Sequence, residues 1–95
     1  MSNVIEAAVA ALNEKTGSFD DGIAKFIIKD EGTIMLDSNG ARAGDEEADV
    51  TLIADRDTFE GMLNGEVNPT TAFMMGRLKV EGSMGLAMKL GSALS

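Results

Sequence analysis

Cysteine, histidine, tryptophan and tyrosine are all missing from this chain of 95 residues, and proline occurs once, at Pro69. Without cysteine there is no disulfide, no thiolate metal site and no cysteine nucleophile. Without histidine and tyrosine the commonest general base and the phenolic acid are gone as well. Catalysis would have to run on carboxylates, lysine or hydroxyls alone. Basic residues are scarce, 8 against 16 acidic for a net charge of −8, so a nucleic-acid partner held by backbone neutralisation is not expected. No apolar run approaches the ~20 residues of a spanning helix, which argues against integral membrane insertion. No secretory apolar region opens the chain, and its final Gly91-Ser92-Ala93-Leu94-Ser95 is not a Ser-Lys-Leu-type peroxisomal address. A cytoplasmic protein is the expectation.

What is present fits one small domain spanning residues 1–95. Seven methionines stand out, six of them internal. Flexible and polarizable, methionine fills irregular gaps and lines surfaces that accept varied apolar partners. The charge is unevenly spread. Residues 45–67 hold eight acids and one arginine, whereas residues 76–90 hold Arg77, Lys79 and Lys89 against Glu81 alone.

Asn3 three residues ahead of Glu6 reads as a capping box, and Ile5, Ala8, Val9 and Leu12 then recur at helical spacing. A helix over 3–15 follows. Residues 22–29 alternate Ala24, Phe26 and Ile28 against Ile23, Lys25, Ile27 and Lys29, a strand apolar on both faces and therefore interior to a sheet. Asp30-Glu31-Gly32 turns the chain into a second strand over 33–37. Asn39-Gly40 accepts the positive φ of a tight hairpin and leads to a third strand over 41–44. Asp45-Glu46-Glu47 reads as a solvated acidic loop, since it lacks the alternating ligands and central glycine of a calcium site. No metal and no cofactor is expected. Val50–Ala54 alternates as a fourth strand, and Asp57 with Glu60 reads as the capping box of a helix over 57–64.

The last third organises the rest. Asn68-Pro69 starts a helix, since asparagine caps and proline suits the first helical position. Ala72, Phe73, Met74 and Met75 form an apolar run closed by Gly76, and Arg77-Leu78-Lys79-Val80-Glu81 alternates as a strand. Ser83 is placed to cap a helix over 84–94 that is apolar nearly all round, relieved by Lys89 and Ser92. Such a helix must be covered by protein, line a cavity or meet lipid. The order α-β-β-β-β-α-α-β-α predicts an α+β fold: a five-stranded, mostly antiparallel sheet with most helices on one face.

The stretch NPTTAFMMGRLKVEGSMGLAMKL, residues 68–90, resembles the C-terminal signature of the sterol carrier protein-2 domain family, in its small, stand-alone bacterial form. The preceding DVTLIADRDTFEGMLNGEVNP resembles that family's strand and helix before it. The resemblance implies a sheet and helices enclosing an apolar tunnel, and non-catalytic binding and transfer of fatty acids, fatty acyl-CoA or sterols. Transient contact with a membrane or an enzyme is implied too. Many members carry glutamine where this chain has Met75, which implies a drier, less selective pocket. Less helix precedes the first strand than is usual in the family, which implies a smaller or more open cavity.

The residues themselves point to convergent apolar side chains as the lipid-binding site. The candidates are Phe59, Met62, Leu63, Phe73, Met74, Met75, Leu78, Met84, Met88 and Leu90. Arg77, Lys79 and Lys89 are the candidates to meet a head group. Two other classes compete. An enzyme would rest on Asp20-Asp21 or on Asp55 with Asp57, each better read as a turn or cap residue, so no catalytic residue is assigned. The alternative is a protein-interaction module that dimerises or docks through helix 84–94. Gly82 and Gly85 lack the Lys-Ser/Thr of a phosphate loop and serve a tight strand-to-helix turn.

Overall fold

In the computed structural model, which describes residues 3–94, the alternating apolar positions of the strands turn to a single side of one sheet. The elements run α1 (Asn3–Lys15), β1 (Ala24–Ile28), β2 (Gly32–Asp37), β3 (Gly40–Ala43), β4 (Val50–Ala54), α2 (Arg56–Asn64), α3 (Pro69–Met74), β5 (Leu78–Gly82) and α4 (Met84–Leu94). This is the order the sequence predicts. The strands lie in the order β3-β2-β1-β4-β5. Every pairing is antiparallel except that of the central strand β1 with β4, which run parallel with Phe26 beside Leu52 and Ile28 beside Ala54.

Ala24, Phe26 and Ile28 of β1, Ile34 and Leu36 of β2, and Val50, Leu52 and Ala54 of β4 are buried on the face that the helices cover. Phe26 meets Phe59 of α2 edge to face, with ring centroids 5.4 Å apart and planes at 63°. Ile5 and Leu12 of α1 and Leu90 and Leu94 of α4 complete the same core. The cap expected at Asn3 rests on a side chain outside the description. No helix of the described residues is long and apolar enough to cross a membrane.

α1 is fastened over the β3 edge by one side chain. The Asn13 amide donates to the Ala41 carbonyl at 3.1 Å and accepts from the Ala41 N–H at 2.8 Å. Backbone groups that would otherwise face solvent are thereby satisfied. A Cβ on Gly40 would lie 2.7 Å from the Asn13 oxygen, so glycine is needed there for close approach as well as for its φ of 100°. The hairpin differs from expectation in this detail: Gly40 takes the positive φ while Asn39 does not, and the Asn39 N–H bonds to the Asp37 carboxylate at 2.9 Å.

On the opposite face Met35 is fully buried, because the acidic loop folds across it. The Glu46 N–H reaches the Met35 sulfur at 3.5 Å, Lys25 pairs with Asp45 at 2.9 Å, and Arg42 pairs with Glu46 at 3.3 Å. The loop carboxylates stay largely solvated, yet cations of β1 and β3 hold them down.

The start of α2 lies earlier than the sequence motif suggests. The cap is Asp55, whose carboxylate accepts from the Thr58 N–H at 2.8 Å, and Asp57 falls in the first turn. Glu60 does not close a box on Asp57; it pairs with Arg56 at 3.0 Å, one turn back. The reason is that β4 ends at Ala54, so the chain turns directly from strand into helix at the next residue. The Thr58 N–H, with the buried Thr58 hydroxyl close by but outside bonding geometry, holds the Asp55 carboxyl below its usual range. A carboxyl lowered on folding adds stability above its unfolded value of about 4 and loses it as pH falls through the folded value. Asp55→Ala is therefore expected to cost about 1 kcal/mol at neutral pH. In urea titrations across pH, the gap between variant and parent should close progressively below about pH 4. A gap that persisted undiminished into acid would remove the charged cap from the account.

Candidate functional site

The sheet's β4–β5 side, α3 and α4 enclose a cavity of about 590 Å³. Its floor is Leu52 of β4, Leu78 and Val80 of β5, and Met62 of α2. The floor exists because β5 adds antiparallel to β4, setting Val80 beside Leu52 and Leu78 beside Ala54. One wall is α3, which supplies Pro69, Phe73 and Met74. The other is α4, which supplies Met84, Ala87, Met88 and Leu94.

Each wall is held by local chemistry. The Asn68 carboxamide accepts from the N–H groups of Thr70 and Thr71 at 2.8 and 3.2 Å, and Pro69 follows as the first helical residue. With six residues, α3 buries Pro69 and Ala72 and leaves Phe73 and Met74 to point sideways. Gly76, at φ 78°, reverses the chain into β5. At the far end of β5, Gly82 has φ 92°, and a Cβ there would sit 2.5 Å from the Asp49 carbonyl oxygen. No other residue fits that strand-to-helix turn without moving backbone. Ser83 then caps α4 by accepting from the Leu86 N–H at 3.3 Å, while its own N–H donates to the Asp49 carbonyl at 2.9 Å.

The apolar character of α4 now has a geometric account. Leu90 and Leu94 are essentially inaccessible and belong to the core. Met84 and Met88 lie at the edge of the same broad arc, 49% and 72% exposed, on the rim of the cavity. Phe73 and Met74 of α3, 42% and 79% exposed, form the facing rim. The cavity is thus open between two lips of large apolar side chains.

Met62, Phe73, Met74, Leu78, Met84 and Met88, all singled out from sequence, meet at this cavity. Four other candidates lie elsewhere. Phe59 packs against Phe26 in the core, and with Leu63 it borders a separate cleft of about 220 Å³ against α1. Leu90 is turned into the core by its helical phase, and Met75, the C-terminal cap of α3, is exposed off the cavity. Leu52, Val80, Ala87 and Leu94 line the cavity without having been singled out. The signal for the first two lay in strand pairing, which places them side by side.

Polar groups are few. Lys89 borders the cavity and reaches Asp21 at 3.5 Å, with both side chains more than half exposed. Lys79 pairs with Glu81 at 3.4 Å, and exposed Arg77 acts at a distance on Asp55; neither borders the cavity. Among the described residues no carboxylate side chain lines it, and Lys89 is the one titratable side chain there. Such a lining shields apolar matter from water and offers one cation at the mouth; it contains no acid–base pair.

The sequence model of the SCP-2 sterol transfer family matches residues 3–95. Hydroxysteroid dehydrogenase-like protein 2 of Xenopus tropicalis is 33% identical over 102 aligned residues, covering 99% of this chain and 24% of that protein. Sterol carrier protein 2 of Bos taurus is 40% identical over 80 residues, covering 73% of this chain and 14% of that protein. The chain therefore spans a quarter or less of the length of these relatives. Among solved structures, Sterol Carrier Protein-2 of Aedes aegypti in complex with the C16 fatty acid palmitate superposes with a TM-score of 0.76 at 20% identity. That superposition covers all of this chain and 97% of the other, and establishes the common fold.

Proposed function

The chain belongs to the SCP-2 sterol transfer family, and from that premise we propose that it binds a single long-chain lipid in the α3–α4 cavity and carries it unchanged. The observation that supports this most is the cavity itself: about 590 Å³, apolar on floor and walls, and open between apolar lips. Small-molecule sites commonly occupy ~300–1,000 Å³. Fatty acids and fatty acyl-CoA are the ligands of choice, with sterols a further class. The palmitate in the mosquito structure supports the first of these.

Binding is driven by burial at ~0.8 kcal/mol per methylene. After the cost of ordering chain and protein, a long acyl chain reaches roughly micromolar affinity. Leu52, Met62, Phe73, Leu78, Met84 and Met88 hold the chain in this reading, and Lys89 attracts the carboxylate or phosphate at the mouth. The chain carries a net charge of −8, so an anionic head group gains most where a cation borders the cavity, as Lys89 does.

Native mass spectrometry of the purified protein, followed by organic extraction, tests the reading. Co-purifying acyl chains at about one per protein, or displacement of a fluorescent fatty acid by added palmitate, are the expected results. Protein that is empty and ignores added fatty acid and acyl-CoA would end it. Docking through α4 would then be the remaining account. Its disadvantage is already visible, since the most apolar part of that helix, Leu90 and Leu94, is buried in the chain's own core.

A further inference from the structure

We propose that the cavity is also a reducing site for lipid hydroperoxides, in which Met74, Met84 and Met88 accept the peroxide oxygen. This rests on the reading that an acyl chain occupies the cavity. Thioethers are oxidised to sulfoxides by hydroperoxides, and lipids are themselves a source of them. What distinguishes this protein is where its thioethers stand. Met84 and Met88 are four residues apart on α4, about 6 Å along one wall, and Met74 faces them from α3. Met62 contributes a fourth sulfur to the floor. A hydroperoxide group part-way along a bound chain therefore lies beside a sulfur over much of the cavity's extent.

The step needs no further reagent. A sulfur lone pair attacks the distal oxygen of the R–O–O–H group; the O–O bond breaks as the S–O bond forms. The proton on the distal oxygen passes to the departing alkoxide oxygen. Sulfur loses two electrons and becomes the sulfoxide, and the hydroperoxide becomes the alcohol R–O–H. Confinement raises the local concentration of peroxide at sulfur far above its value in solution. Each methionine reacts once, unless a sulfoxide reductase restores it. The product sulfoxides are polar, so the wall that has reacted holds an acyl chain less well and the alcohol leaves.

The chain contains its own control. Met88 and Met75 are almost equally exposed to solvent, at 72% and 67%, but Met88 lines the cavity and Met75 does not. Met35 is buried away from the cavity and is inaccessible to either route. The intact protein is incubated with linoleic acid hydroperoxide, and in parallel with hydrogen peroxide, and sulfoxides are mapped by peptide mass spectrometry. With hydrogen peroxide Met88 and Met75 should oxidise at similar rates. With the lipid hydroperoxide the ratio of Met88 to Met75 should rise about tenfold or more. The alcohol should appear in step with the sulfoxide, and excess stearic acid should abolish the preference.

A ratio unchanged between the two oxidants, in protein that still exchanges a fluorescent fatty acid for stearic acid, overturns this inference and leaves the carrier reading intact. A ratio unchanged in protein that binds no fatty acid at all overturns both.

Discussion

Ala87→Trp is expected to weaken fatty-acid binding by about 100-fold or more while leaving the protein folded. Ala87 is half-buried on α4 and lines the cavity between the Met84 and Gly91 turns. An indole at that position fills space that an acyl chain would occupy. Excluding even four methylenes removes about 3 kcal/mol of burial, which corresponds to a factor of about 100 in affinity. The helix tolerates the change because tryptophan's propensity penalty is a fraction of about 1 kcal/mol and the added ring covers apolar floor. Displacement titration of a fluorescent fatty acid gives the affinity, and urea denaturation gives the stability. Undiminished affinity in a stable variant would place the lipid somewhere other than this cavity.

Phe59→Ala should do the opposite. Its ring is 3% exposed and closes edge to face on Phe26 at the centre of the core. Truncating such a residue costs about 3–5 kcal/mol through lost burial and the cavity left behind. A domain of this size has roughly 5–15 kcal/mol to lose, so the urea midpoint should fall steeply. Affinity per folded molecule should stay within a factor of about three, because the side chain does not reach the α3–α4 cavity. Loss of binding in protein shown to be folded would return Phe59 to the candidate site.

That contrast shows what local sequence carries. Phe59 and Met62 are three residues apart on the same apolar stripe of α2, and periodicity marks both as inward. Which of them reaches Phe26 and which reaches the cavity depends on where the helix crosses the sheet, a matter of residues distant in sequence. Leu90 and Met88 differ in the same way. Both belong to one greasy helix, yet two residues of helical rotation separate core from rim.

The strands were legible because their alternation and turn residues are local. The β-β-β meander over 24–43 follows directly from Gly32, Asn39 and Gly40. The parallel pairing of β1 with β4 was not, since no local feature of Val50–Ala54 selects its neighbour. The cap of α2 was ambiguous for a related reason. Asp55 and Asp57 are both competent, and the decision lay with the end of β4 at Ala54.

The parallel pair at the centre of the sheet has a kinetic consequence. The hairpins β1–β2 and β2–β3 close over a few residues, on a timescale of ~1–10 μs for such elements. Joining β4 to β1 requires the chain to return across residues 29–49, and that closure entropy is spent before any contact rewards it. The meander is therefore expected to form before the β4–β5 half, so that the cavity is assembled on a surface that already exists. Segments that join such a scaffold last tend to open as a unit while the scaffold persists. The six-residue α3, fastened mainly by the Asn68 cap and its contacts with β5 and α4, is then the cheaper wall of the cavity to open, since Leu90 and Leu94 anchor α4 in the core.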